Sequence, residues 1–172
     1  PREMAALLQT VPAITTCGEL RFGTCLLHPP AGYALADIEA GKHFVADLLA
    51  GAAVRVEGDA PWLHTIDLPR DVSARHIVRI SPCAGTVAPH ELRIYPRNVV
   101  ARVDAGTQNV AAVLREALCE AGIAAPALAC LVAKKSAMAD GECARAASDF
   151  DVPLRFVEAT ELPRPRGYQG EG

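Results

Sequence analysis

Between the β-branched run Val99–Val103 and an amphipathic stretch that begins near Val110 lies the turn Asp104-Ala105-Gly106-Thr107. A turn at the carboxyl end of a strand that opens a helix offers unpaired backbone N–H groups and the positive end of the helix dipole, which suits an anionic ligand. The same residues serve equally well as a plain strand-to-helix connection with Thr107 as N-cap. The spacing excludes the two common nucleotide loops, because neither GxGxxG nor GxxxxGK[ST] occurs and no acid is placed to hold a ribose. Five histidines, His28, His43, His64, His76 and His90, are scattered without a His-x-x-x-His or mixed Cys/His spacing, so no metal held by protein ligands is expected. Cys17, Cys25, Cys83, Cys119, Cys130 and Cys143 form no CxxC pair and lie in apolar or alanine-rich surroundings, which reads as buried, reduced thiols rather than disulfides.

The elements that must carry the turn follow from periodicity. Asp37 caps a helix whose face is Ile38, Val45, Leu48 and Leu49 with Phe44 beside them, and Gly51 ends it. A strand over 53–56 follows, and the turn-rich GDAPWLHTIDLPRD reads as a linker or edge segment leading out of a first small lobe. There Trp62 and His64 would lie between lobes, where ligand clefts form. HIVRIS and ELRIYP read as strands, and Arg93, Arg97 and Arg102 alternate near them as a solvent-facing edge. Beyond the Asp104–Thr107 turn, Val110, Val113, Leu114, Ala117, Leu118 and Ala121 recur at helical spacing. LACLVA is then a strand, roughly 140–150 a helix, PLRFV a strand and EATEL a short helix.

Strand and helix alternating in this way predict an α/β fold: a small N-terminal α/β lobe over 1–70, then an α/β lobe over 71–162 with a mainly parallel sheet flanked by helices. The Pro/Gly-rich residues 163–172 read as a disordered tail. PREMAALLQTVPAITT looks like the end of a unit whose beginning is absent, so the chain reads as a piece of something longer.

The chain has 172 residues, 51% hydrophobic and 22% charged, enough to bury a core. A net charge of -3 without a Lys/Arg cluster argues against nucleic acid as a partner. With no run of about 18 apolar residues, no membrane span is expected, and the cysteine usage points to a cytoplasmic protein.

Three stretches, in order, resemble the cobalamin-biosynthesis proteins CbiG and CobE. ITTCGELRFGTCLLHPPAGYALADIEAGKHFVADLLAGAAVRVEGDAPWL is similar to the junction and central region of CbiG, with its Leu-Leu-Ala-Gly helix end and Val-Arg-x-x-Gly-Asp-Ala turn. LRIYPRNVVARVDAGTQNVAAVLREALCEAGI looks like the start of the C-terminal CbiG/CobE domain, with Gly106 and Thr107 kept from its turn. ALACLVAKKSAMADGECARAASDFDVPLRFVEATEL resembles the continuation, a strand leading into a Lys and acidic loop, onto which Lys135 and Glu142 fall. The family extends beyond both ends of what matches here, which implies an incomplete sheet with unpaired edges and an uncovered apolar face.

CbiG-like proteins open the δ-lactone of cobalt-precorrin-5A with water and release acetaldehyde, a carbon-carbon hydrolysis. The resemblance implies a cobalt-corrinoid intermediate as partner, with no further cofactor because cobalt comes with the substrate. Gly106 and Thr107 would supply N–H donors, Lys134 or Lys135 would meet the substrate's carboxylates, and Glu142 or Asp140 would act as base. CobE-like binding without catalysis, or a structural piece of a larger fusion, are the alternatives. A homodimer and a fused or separate biosynthetic partner both stay open.

Overall fold

The computed structural model describes residues 21–138 and 141–158. The chain divides between Pro96 and Arg97 into two compact units, both α/β. The first unit runs α1 (Arg21–Leu27), β1 (Tyr33–Leu35), α2 (Ile38–Leu49), β2 (Val54–Glu57), β3 (His76–Ile80) and β4 (Glu91–Pro96). Its sheet has the order β1-β4-β3-β2, with β2, β3 and β4 parallel and β1 antiparallel to β4.

Asp37 starts α2 as expected: its backbone is extended and its carboxylate accepts from the N–H groups of Glu39 at 2.8 Å and Ala40 at 3.1 Å. Such a cap contributes about 1 kcal/mol. Gly51, at φ 102, takes the left-handed position that ends the helix. The buried stripe is Gly41, Phe44, Val45 and Leu48, whereas Ile38 and Leu49 are exposed at 41% and 51%. The reason for this rotation is Gly41, which lets the helix backbone approach Leu27, Leu35 and Leu92 so closely that a Cβ there would lie 2.9 Å from the first of them.

Successive residues of a strand point to opposite faces of the sheet. One face of β2, β3 and β4 carries Val54, Val56, Val78, Ile80, Leu92 and Ile94, which pack with Leu26, Phe44, Val45 and Leu48 into one core. The other carries Arg55, Glu57, Arg79, Glu91 and Arg93, paired in a chain of ion pairs.

Two sequence expectations are corrected here. The segment after β2 is not a linker between lobes: Pro61–Thr65 forms a 3-10 turn, and Ala60, Leu63 and Leu68 are buried in the first core. Its turn-forming residues hide three apolar side chains that the core needs. The unit boundary therefore does not fall at 70/71, because β3 and β4 pair with β2 and β1 and complete the first sheet.

The second unit runs β5 (Val99–Val103), α3 (Val110–Glu120), β6 (Leu128–Lys134), α4 (Gly141–Asp149) and β7 (Leu154–Val157), in the all-parallel order β5-β6-β7. Val110, Leu114 and Leu118 of α3 and Cys143, Ala146 and Ala147 of α4 share one core with Val103, Leu128, Leu131 and Ala133. Both helices thus cover one face of the sheet, while Val100 on the other face is 57% exposed. Val113 is also exposed, at 48%, and lies outside the α3 stripe.

Thr107 is not the N-cap of α3. Its hydroxyl and its N–H both donate to the Asp104 carbonyl, at 2.8 and 3.4 Å, closing the turn on itself. The helix then starts two residues later, after Asn109 at φ 50, which makes no side-chain cap bond. Of the cysteines, Cys143 is buried and Cys25 and Cys130 are half-buried, but Cys83 and Cys119 are exposed, so the expectation of uniformly buried thiols is corrected; among the described residues none of the five is joined in a disulfide. The opening 1–20 segment with Cys17, the EATEL helix beyond Glu158 and the 163–172 tail lie outside the described residues. No helix among the described residues is long and apolar enough to cross a membrane.

Candidate functional site

Parallel pairing of β5 with β6 and of β6 with β7 gathers their carboxyl ends at one rim of the second unit. There the Asp104–Thr107 turn follows β5, Lys134 ends β6 with Lys135 just after it, and Glu158 follows β7. Gly106, at φ 80, supplies the left-handed backbone that turns the chain toward α3. Lys134 is half-buried and stands opposite Val157 in the β6–β7 register. Lys135 is exposed and donates to Glu158 at 2.6 Å, so a cation and a carboxylate share the rim. At the turn itself, Arg102 lies 3.5 Å from Asp104.

Glu142 sits in the first turn of α4, beyond the loop that leaves β6, and pairs with Arg145 one turn on. Asp140 lies outside the described residues. The parallel strands therefore bring Gly106, Thr107, Lys134 and Lys135 to one edge. Thr107 differs from the expected donor, since its own turn engages both its N–H and its hydroxyl.

The other sequence candidates fall elsewhere. Trp62 lies within the first unit, edge-on to Tyr33 with ring centroids 5.8 Å apart, and its buried indole N–H has no partner. His64 pairs with Asp59 at 2.8 Å on the surface of that unit. Arg93 is not at a solvent-facing edge: β4 lies between β1 and β3, and the arginine's side chain is 8% exposed against Glu91.

A second group of chemical side chains converges in the first unit and was not legible as a motif. Asp47 from the last turns of α2, His76 at the start of β3 and His90 in the lead-in to β4 place one ligand atom each within 4.8 Å of one another. The Nε2 of His76 lies 2.9 Å from Oδ2 of Asp47, and Nδ1 of His90 lies 4.0 Å from the same oxygen. The hydrogen bond from His76 is the main influence holding the Asp47 carboxyl below the usual carboxylate range, aided by the positive charge that His76, His90 and His43 can carry. Phe44 meets the His76 ring at 5.5 Å, and the rings of His76 and His90 meet edge to face at 4.7 Å. Beside the group, α2 and the 87–91 segment border an open cleft of about 540 Å³ lined by Asp47, His90, His43 and Glu91 among others. The signal present in the sequence is the i,i+4 pair His43 and Asp47, which a helix stacks on one face.

No protein-family model matches the chain. A comparison with curated proteins also finds no match. Among solved structures, the chain is similar to a candidate cobalamin biosynthesis protein G homolog from Sulfolobus solfataricus, with 13% identity and a TM-score of 0.32 over 96% of this chain. The chain spans half the length of that structure, at 50%. Likeness this slight bears on neither activity nor substrate.

Proposed function

We propose that the chain is a cytoplasmic cobalamin-biosynthesis module of the CbiG type, whose second unit receives a cobalt-corrinoid intermediate at its carboxyl rim. The observation that carries the reading is the parallel β5–β6 register, Val99 with Leu128 through Val103 with Ala133, because it brings the Asp104–Thr107 turn and Lys134/Lys135 to one edge. Those are the positions that the ordered sequence resemblance to CbiG and CobE singles out. A corrinoid precursor is rich in carboxylates, and a half-buried lysine beside an exposed one meets such groups at low desolvation cost.

In the hydrolytic form of this proposal, Glu142 or Asp140 takes a proton from the water that attacks the lactone carbonyl of cobalt-precorrin-5A, while Lys134 and Lys135 hold carboxylates and Gly106 contributes a backbone donor. Ring opening breaks the acyl C–O bond to leave a carboxylate and an alcohol, and loss of the alcohol proton then breaks its carbon–carbon bond to the macrocycle, which keeps the electron pair as acetaldehyde leaves. The chemistry asked of this rim needs no metal beyond the cobalt of the substrate. The engaged donors of Thr107 favour a second reading, CobE-like binding of the intermediate without turnover.

An absorbance titration with a cobalt-corrinoid tests both readings, since each requires the corrinoid bands to shift and Lys134→Ala to weaken the shift. Acetaldehyde release from cobalt-precorrin-5A, lost in Glu142→Gln, separates turnover from binding. A folded protein that leaves the spectrum unchanged would overturn both and leave a structural part of a larger assembly.

A further inference from the structure

We propose that Asp47, His76 and His90 form a binding site for a divalent transition-metal ion of the zinc class, with an open coordination position facing the cleft between α2 and the 87–91 segment. Three ligand-bearing side chains reach this point from three separate elements, and His76 and Asp47 lie 29 residues apart in the chain. Two imidazoles and one carboxylate form a donor set that suits zinc and related ions and is too poor in oxygen for calcium or magnesium.

The spacing fits such an ion. Ligand atoms about 2.0–2.1 Å from a tetrahedral zinc stand roughly 3.3 Å from each other. The two separations from Asp47 Oδ2, 2.9 Å to His76 and 4.0 Å to His90, bracket that value, so small rotamer adjustments suffice. His76 is held in place, its side chain 12% exposed and stacked edge-on against Phe44 and His90. Locked rotamers lower the cost of organising ligands around an ion.

His90 adopts φ 63, a left-handed conformation that a side chain with a Cβ takes only against a local penalty. In that conformation its carbonyl still accepts from Ile77 at 2.9 Å, which fixes the segment beside β3, while the ring turns to His76. Asp47 and His90 also line the 540 Å³ cleft, so a fourth position on the ion opens to water or to a small ligand. His43, one helical turn before Asp47, lines the same cleft.

The test uses the full chain, freed of metal by a chelator, with Zn²⁺ measured by calorimetry and by metal analysis after gel filtration, and Co²⁺ as a spectroscopic probe. The expected result is one ion per chain and visible cobalt bands without the near-ultraviolet thiolate charge transfer that would mark a cysteine site. His90→Ala and Asp47→Asn should each weaken zinc binding by about 10-fold or more, with far-ultraviolet circular dichroism unchanged, whereas His64→Ala, outside the cluster, should not alter it. Asp47 is half-exposed, so its variant keeps the test meaningful even where a histidine variant loses structure. Absence of stoichiometric zinc, a thiolate band, or undiminished binding in Asp47→Asn and His90→Ala would each overturn the proposal.

Discussion

Lys135, just past β6, donates to Glu158, just past β7, at 2.6 Å, and so ties the ends of two parallel strands at the rim where the second unit gathers its polar groups. Both side chains are more than half exposed, at 54% and 56%. An exposed pair of this kind gains little, because water screens it and two flexible side chains must be held in one geometry. Lys135→Met should therefore lower the stability of the chain by less than about 1 kcal/mol, read as a small shift in the urea midpoint. The same variant should weaken the cobalt-corrinoid titration if the lysine meets a carboxylate of the ligand. A large stability loss with unchanged titration would assign Lys135 a structural role only.

Gly58 and Gly51 offer a matched comparison of backbone demand. Both have positive φ, 88 and 102, but a Cβ on Gly58 would lie 2.2 Å from the Ile80 carbonyl oxygen, whereas one on Gly51 meets nothing within 4 Å. Gly51→Ala should cost about 1–2 kcal/mol, the penalty for a left-handed residue with a Cβ. Gly58→Ala adds to that penalty the displacement of β3, roughly a further 1–3 kcal/mol. Urea unfolding of the two variants with unchanged slope measures the difference, and equal losses would mean that the 57–58 and 80 backbones separate freely.

These comparisons show what was legible beforehand. Asp37, the Val99–Val103 run and the Leu128–Lys134 run each carry a local signal, a cap oxygen or a continuous apolar strand, and the structure has a helix start and two parallel strands there. Ala60, Leu63 and Leu68 carry no period, since they sit in irregular backbone, and only the tertiary core gives them a place. The same holds for Asp47, His76 and His90, which a helix, a strand start and a loop bring together with no fixed spacing in the chain. Thr107 reads as a cap from sequence and closes a turn in the structure, because a hydroxyl in either role has the same sequence signature.

The turn that leads into β3 carries a pH signature. The Ser73 hydroxyl donates to Oδ1 of Asp71 at 2.7 Å and the Ser73 N–H at 2.8 Å, and the hydroxyl is the larger of the two influences that lower the Asp71 carboxyl below its ordinary value of 3.8. A carboxyl with a depressed folded value stabilises the fold fully above the unfolded value and loses that contribution as pH falls through the folded one. The contribution of Asp71 should thus be constant at neutral pH, begin to fall near pH 3.8 and be lost as pH drops through the lower folded value. Carboxyl NMR titration should find Asp71 below that value, and Ser73→Ala should raise it while leaving the backbone bond in place. An unmoved titration in Ser73→Ala would remove the hydroxyl as the cause.

Glu91 and Arg93 present the sharpest energetic demand in the first unit. Their side chains are 3% and 8% exposed and meet at 2.6 Å, while Arg93 also donates to the Thr86 carbonyl at 3.1 Å and Arg79 approaches Glu91 at 3.2 Å. Burial works against the charge of Arg93, and the hydrogen bond and charge of Glu91, joined by those of Tyr95, outweigh it, so its pKa is raised from its ordinary value. Removing one partner of a buried pair leaves the other charge without compensation, a loss of about 3–5 kcal/mol. Glu91→Ala should show that loss in urea unfolding. Replacing both charges with apolar groups of similar size removes the desolvation cost along with the attraction, so Glu91→Leu with Arg93→Met should recover most of it. Arg79 keeps its partner Glu57 at 2.6 Å and loses its 3.2 Å contact with Glu91 in both variants, so that loss cancels when the two are compared with each other. A double variant no more stable than Glu91→Ala would mean that the Thr86 contact of Arg93, rather than its charge balance, holds the 81–90 loop over the sheet.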